Sequence, residues 1–111
     1  MRRGDLVTIA GRIGGDYDGK PRPAVIIQSD DFPETDSVTV SLLTSIGIDA
    51  PLLRLRIDPA PANNLRQASW LMIDKIATVR RRNIGAVFGR LSDAELVQLN
   101  RALPVFLGIA G

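Results

Sequence analysis

The side chains left to do chemistry in this chain are cations, carboxylates and alcohols, because it contains neither histidine nor cysteine. Imidazole is the usual general base and a common zinc ligand, and thiolate is a common nucleophile and metal ligand. Chemistry that depends on either is excluded, as are disulfides. What remains is carboxylate, hydroxyl, Lys, Arg and the single tyrosine, Tyr17. Residues 14–28 read "GGDYDGKPRPAVIIQ", and Gly14, Gly19 and Lys20 lie at the spacing of a nucleotide-binding P-loop. The match fails at Pro21, where that motif needs a Ser or Thr hydroxyl for Mg²⁺. It fails again at "AVII", which reads as strand where the motif needs a helix N-terminus. Arg22 survives the elimination: a permanent cation between Pro21 and Pro23, at the mouth of a buried strand.

Two further clusters invite a chemical reading and each has a plain alternative. Asp30, Asp31, Glu34 and Asp36 resemble a hard-cation site, but a polar turn marked by Pro33 explains them, and the spacing matches no ligand loop. No metal site and no cofactor are expected. "VRRRN" at 79–83 places three arginines in a row, which strand alternation would split between two faces; Arg80 then lines a binding groove or a solvated edge. Of 14 basic residues only Lys20 and Lys75 are lysine. Arginine grips phosphate bidentately and stacks on bases, so the bias leans toward an anionic polymer, although GC-rich codon usage produces the same bias. Trp70, between Ser69 and Leu71, reads as core or subunit interface.

The elements that must position these residues are short. At 111 residues the chain is one domain, 1–111, with enough length for a modest core. Strands are expected at 5–9 ("DLVTI"), 24–29 ("AVIIQS") and 37–44 ("SVTVSLLT"). Three more are expected at 52–57 ("LLRLRI"), 69–74 ("SWLMID") and 76–79 ("IATV"), with 83–91 either strand or irregular. Alternation from Leu53 puts Arg54 and Arg56 on one face. Ser92 and Glu95 stand at capping-box spacing, with Leu91 and Leu96 as a hydrophobic staple, so a helix begins at 92–93. Leu96, Leu99, Leu103, Phe106 and Leu107 continue its apolar stripe, and Pro104 is expected to kink or end it. The stripe exceeds what a small sheet needs, so part of it faces a second subunit. The fold class is α+β: a mostly antiparallel sheet of about five to seven strands, barrel-like, closed by one C-terminal helix. No apolar stretch reaches the ~20 residues that span a bilayer, and the opening residues lack a signal-peptide core, so the expected compartment is the cytosol.

In order along the chain, "RRGDLV" (2–7), "RPAVIIQSD" (22–30), "VSLLTS" (40–45), "NNLRQASWLMIDKIATV" (63–79) and "IGAVFGRLSDAELVQLNRAL" (84–103) resemble the successive pieces of the MazF/PemK family. Its members are toxin endoribonucleases of toxin–antitoxin pairs, with an SH3-like or CcdB-like barrel or strongly curved sheet. The resemblance implies a cytoplasmic homodimer that cuts single-stranded RNA at a short sequence without metal. The 2′-hydroxyl attacks its own phosphorus and leaves a 2′,3′-cyclic phosphate and a 5′-hydroxyl. It also implies an antitoxin partner whose tail blocks the RNA groove.

Carried over residue by residue, the resemblance makes Arg22 the arginine before proline, whose fork binds two non-bridging oxygens. Thr44 becomes the strand-end hydroxyl that donates to the phosphate. Asp74, within "MIDK", matches the aspartate that some relatives use as a base, although Met72 stands where those relatives carry an arginine. Tyr17, Lys20, Arg54, Arg56 and Arg80 are the candidate RNA contacts. The loop "GGDYDGK" departs from the Gly-x-Glu-Gln-like segment of many members, so family loop contacts do not carry over side chain by side chain. A rival reading comes from the gyrase poison CcdB, a structural cousin without nuclease activity, whose aromatic-Gly-Ile tip resembles "VFLGIAG" at 105–111.

Overall fold

The computed structural model describes residues 1–11 and 20–110. Tyr17, Gly14 and Gly19 lie outside that range. Six strands follow in order: β1 (Asp5–Ile9), β2 (Arg22–Ile26), β3 (Ser37–Thr44), β4 (Arg54–Ile57), β5 (Ser69–Arg80) and β6 (Ile84–Arg90). Helix α1 (Asp93–Phe106) closes the chain. The strands form one antiparallel sheet in the order β4-β5-β3-β2-β1-β6.

Strict alternation on β1–β3 makes two apolar surfaces. Leu6, Val25 and Leu43 face the helix, where they meet Ile57, Leu71, Ile73, Leu91, Leu99 and Leu103. Val7, Ile9, Ala24, Ile26, Val38 and Val40 form the second cluster on the opposite face, with Val79. Burial on both faces explains why "AVII" shows almost no polar alternation.

The ladder does not close into a barrel. β4 and β6 are the two ends of the sheet, and a loop bridges them instead. Past β4, the chain folds back so that Ala62 O accepts from Arg90 N–H at 2.9 Å. Asn64 Nδ2 donates to Phe88 O at 2.5 Å. The observed architecture is therefore a curved six-stranded sheet whose free edges are joined by main chain outside any strand. That bridging also limits the exposed edge that β6 presents to other chains.

Three local expectations need correction. Residues 69–80 form one twelve-residue strand rather than two short ones. The break read from sequence is a bulge: two steps along β3, Ser41 to Leu43, match five along β5, Ile76 to Leu71. Ser41 Oγ, fully buried, donates to Met72 O at 2.7 Å and holds that bulge in place. Second, Arg81–Asn83 is a 3₁₀ turn, so the three arginines do not alternate along one strand. Third, α1 continues through Pro104 and ends two residues later. The bond that Pro104 cannot donate would have gone to Asn100 O, and Asn100 is exposed. The N-terminus of α1 matches its signal, with Ser92 N donating to Glu95 Oε1 at 2.8 Å and Glu95 N to Ser92 Oγ at 3.1 Å.

The opening "RRGD" ties the N-terminus to the sheet. Asp5 Oδ2 accepts from Arg2 N at 2.6 Å and Oδ1 from Arg90 Nη1 at 2.9 Å, which pins the N-terminal turn to β6. Gly4, at φ 92°, makes the turn possible. Among the described residues no helix is long and apolar enough to cross a membrane.

Candidate nucleic-acid interface

The second apolar face changes character at one end of β2 and β3. Ala24 pairs with Leu42 and Ile26 with Val40. Continued two residues outward, that register sets Arg22 opposite Thr44 on the same face. Thr44 in turn pairs with Trp70 on β5, and Trp70 with Arg56 on β4. A row of four side chains thus crosses four strands: Arg22, Thr44, Trp70 and Arg56. At the usual strand spacing it is about 15 Å long.

Arg22 and Thr44 line a common cleft of about 430 Å³. One wall is the end of β2 and β3, with Lys20, Pro23, Leu42 and Ser45. The segment Leu65, Arg66 and Gln67 forms the other, together with Ser69 and Met72 of β5. The described lining carries three cations, three hydroxyls and one amide, and no carboxylate. Such a set accepts an anion with several oxygens: guanidinium forks for charge, hydroxyls for single hydrogen bonds. Thr44 Oγ1 already accepts from Ile46 N at 3.1 Å. That bond fixes the oxygen and leaves its proton to be donated into the cleft.

The other sequence candidates divide. Lys20 joins Arg22 and Thr44 in the cleft. Arg56 sits at the far end of the row, 61% exposed, with its Nε donating to Asp58 Oδ1 at 2.8 Å and its guanidinium 5.5 Å from the Trp70 ring centre. Gly47 presses on the same indole; a Cβ there would lie 2.5 Å from Cζ2. Trp70 is therefore half-buried under the loop between β3 and β4 and belongs to neither apolar cluster.

Arg54 and Asp74 form an ion pair with each other, with side chains only 12% and 27% exposed, and neither lines the cleft. Asp74 follows Met72 on the same face of β5, but Arg54 of β4 engages it away from the cleft. Arg80 pairs with Ser37 at the opposite end of β3 from Thr44, so it is not brought to Arg22. Of the acidic cluster, Asp30 accepts from Arg3 N at 2.7 Å, as a turn carboxylate does.

Sequence reasoning missed Arg66, Gln67, Ser45 and Ser69. Arg66, Gln67 and Ser69 had no signal beyond position within 63–79, and Ser45 none beyond following Thr44.

The architecture has counterparts. The family model described as "PemK-like, MazF-like toxin of type II toxin-antitoxin system" matches residues 2–107. The chain belongs to that family. A curated protein of Mycolicibacterium smegmatis named "Probable endoribonuclease MazF" is 55% identical over 111 residues, covering the whole of both chains. Among solved structures, an endoribonuclease in complex with its cognate antitoxin from a mycobacterial species superposes with TM-score 0.78 at 20% identity, over 100% of this chain and 98% of that one. The Mycobacterium tuberculosis toxin MazF-mt6 does so with TM-score 0.76 at 22% identity, over 95% and 98%. At those identities the structures speak for the fold, and the full-length relative and the family match speak for descent. Membership of the PemK/MazF family does not favour the gyrase-poison reading of the "VFLGIAG" tail.

Proposed function

We propose that this PemK/MazF-family chain is the toxin of a toxin–antitoxin pair, and that it cleaves single-stranded RNA by internal transesterification at the Arg22–Thr44 cleft. The observation that carries the reading is the register that sets a guanidinium and a donor hydroxyl side by side in a cleft whose described lining holds no carboxylate.

RNA brings its own nucleophile, so the protein's task is to orient a phosphodiester and stabilise charge on it. The ribose 2′-oxygen attacks the adjacent phosphorus and loses its proton. The bond to the 5′-oxygen breaks, and that oxygen takes up a proton. The products are a 2′,3′-cyclic phosphate and a 5′-hydroxyl, with no water consumed. Arg22 grips the two non-bridging oxygens while they gain charge, and Thr44 Oγ1 donates its hydrogen bond to one of them. Lys20 adds positive charge at the rim. Asp74, bound to Arg54, holds the β5 bulge against β4 rather than taking the 2′-proton. Arg56 extends the row toward flanking nucleotides, and Arg80 lies outside the cleft. No metal or cofactor enters this scheme.

The protein acts as a homodimer and is held inactive by an antitoxin. The family resemblance implies both, and a structural relative was solved in complex with its cognate antitoxin. The test is to incubate the purified protein with a mixed RNA pool in excess EDTA and to map both new ends, with a gyrase assay in parallel. Cleavage leaving cyclic-phosphate and 5′-hydroxyl ends is expected. A strict Mg²⁺ requirement, 5′-phosphate ends, or gyrase arrest with intact RNA would overturn the scheme.

A further inference from the structure

The second wall of the cleft is held by a device with no catalytic part. Asn63 is 2% exposed, and its side chain is fully engaged within its own loop. Oδ1 accepts from Ala60 N and Leu65 N, both at 3.0 Å, and Nδ2 donates to Asp58 O at 2.9 Å. Three main-chain groups spread over eight residues are thereby tied to one amide. Asn64 follows in the left-handed region at φ 54°, which turns the chain back, and its Nδ2 holds Phe88 O. Beneath the loop, Gly89 leaves room for the Asn63 carbonyl; any Cβ at that position would overlap it. The loop is thus anchored to β6 and locked internally, and it delivers the next residues, Leu65, Arg66 and Gln67, to the cleft.

Arg66 is the cation at the end of this device. It is exposed, it lines the same cleft as Arg22, and it has no ion-pair partner among the described residues. Arg54, Arg56 and Arg90 are each paired with a carboxylate. A rigid loop that carries an uncompensated guanidinium toward a cleft already suited to one phosphate has room for a second anionic group. In a polynucleotide the neighbouring anion is the next phosphate along the chain.

We propose that Arg66 binds the backbone phosphate next to the cleaved linkage, and that Asn63 is the positioning residue that holds it there. This inference rests on the nuclease reading for its substrate, and it assigns a contact that the Arg22–Thr44 chemistry does not require.

Salt dependence separates a phosphate contact from a structural role. Binding of a labelled single-stranded oligonucleotide with 2′-fluoro ribose, which cannot attack its own backbone, is measured by anisotropy across a salt series. Wild type, Arg66→Gln and Arg66→Lys are compared, with cleavage of ordinary RNA followed in parallel. Arg66→Gln is expected to weaken binding about fivefold at moderate salt and to make the log–log salt slope shallower by about 0.7, one single-strand phosphate. In cleavage the loss falls mainly on KM. Arg66→Lys restores the slope because the charge is kept. An unchanged slope in Arg66→Gln beside a wild type that cuts RNA overturns the assignment and leaves the nuclease reading standing. A flattened slope beside a wild type that binds but cuts nothing keeps Arg66 and discards the nuclease. A wild type that neither binds nor cuts discards both.

Discussion

In the proposed scheme a single guanidinium and a single hydroxyl carry the chemistry, so substitutions there should damage rate and spare folding. Arg22 lies half-buried at a strand start and Thr44 half-buried at a strand end, outside both apolar clusters. Arg22→Ala is expected to lower kcat by about a thousandfold, and Thr44→Val by about a hundredfold, with Thr44→Ser close to wild type. The midpoint of thermal unfolding should move by no more than a few degrees in each. Measured kcat within a factor of three of wild type in Arg22→Ala would remove that residue from the mechanism. Asp74 gives the converse pattern. Its carboxylate faces the mostly buried Arg54, so Asp74→Asn strips a guanidinium of its counter-charge and should cost about 1–3 kcal/mol of stability. Cleavage by the folded fraction should stay within tenfold of wild type. A loss comparable to that of Arg22→Ala would reinstate Asp74 as the base. The two residues show what the sequence could and could not disclose. Thr44 ends a strand whose bounds the sequence placed correctly, and Arg22 opens one expected two residues later, at 24–29, so their meeting follows from a register once β2 is extended to Arg22. Asp74 is engaged by Arg54, on a different strand, and such a tertiary pairing leaves no mark on hydrophobic periodicity.

At the scale of elements, the loop between β4 and β5 does two jobs at once, tying the sheet's ends together and presenting Arg66. Asn63→Ala removes three hydrogen bonds and leaves Ala60 N–H, Leu65 N–H and Asp58 C=O without the buried amide that gathers them under an otherwise exposed loop. The expected cost is about 2–4 kcal/mol, which in a domain of this size lowers the melting midpoint by about 10 °C or more. Gly89→Ala acts from the other side by pushing the Asn63 carbonyl off β6. It should reproduce both the lower midpoint and the raised KM that follows when Arg66 is misplaced. Differential scanning calorimetry beside steady-state cleavage checks the pair; two variants with wild-type midpoints would show that the loop is not locked as described. None of this was legible in "DPAPANN", which reads as loop from composition alone. Turn residues announce that the chain bends, while the partner across the bend is a tertiary contact. The capping box at Ser92 and Glu95 was legible because both halves of the interaction lie within four residues.

For the whole molecule, the apolar surface left over after folding decides its state of assembly. Leu99 and Leu103 of α1 are buried against the sheet, as the helical spacing required, but the stripe does not stop there. Val105, Phe106, Leu107 and Ile109 remain 43–77% exposed at the end of the chain. Four large apolar side chains within five residues form a patch of the kind that monomers seldom leave in water. Buried between two copies, they would each contribute on the order of 1–2 kcal/mol, enough to hold a dimer at micromolar concentration when added to the contacts around them. Phe106→Glu, or the pair Leu107→Glu and Ile109→Glu, places charge in that patch without touching either core cluster. Sedimentation velocity should then show a dimer for wild type and a monomer for the variants. The wild-type melting midpoint should rise with concentration while that of the variants does not. Because the Arg22 cleft is assembled within one chain, the variants should still bind a short single-stranded oligonucleotide, with affinity reduced only by what the second subunit adds. Variants that remain dimeric would place the interface elsewhere on the sheet, and loss of all oligonucleotide binding would mean that the cleft is completed across the dimer.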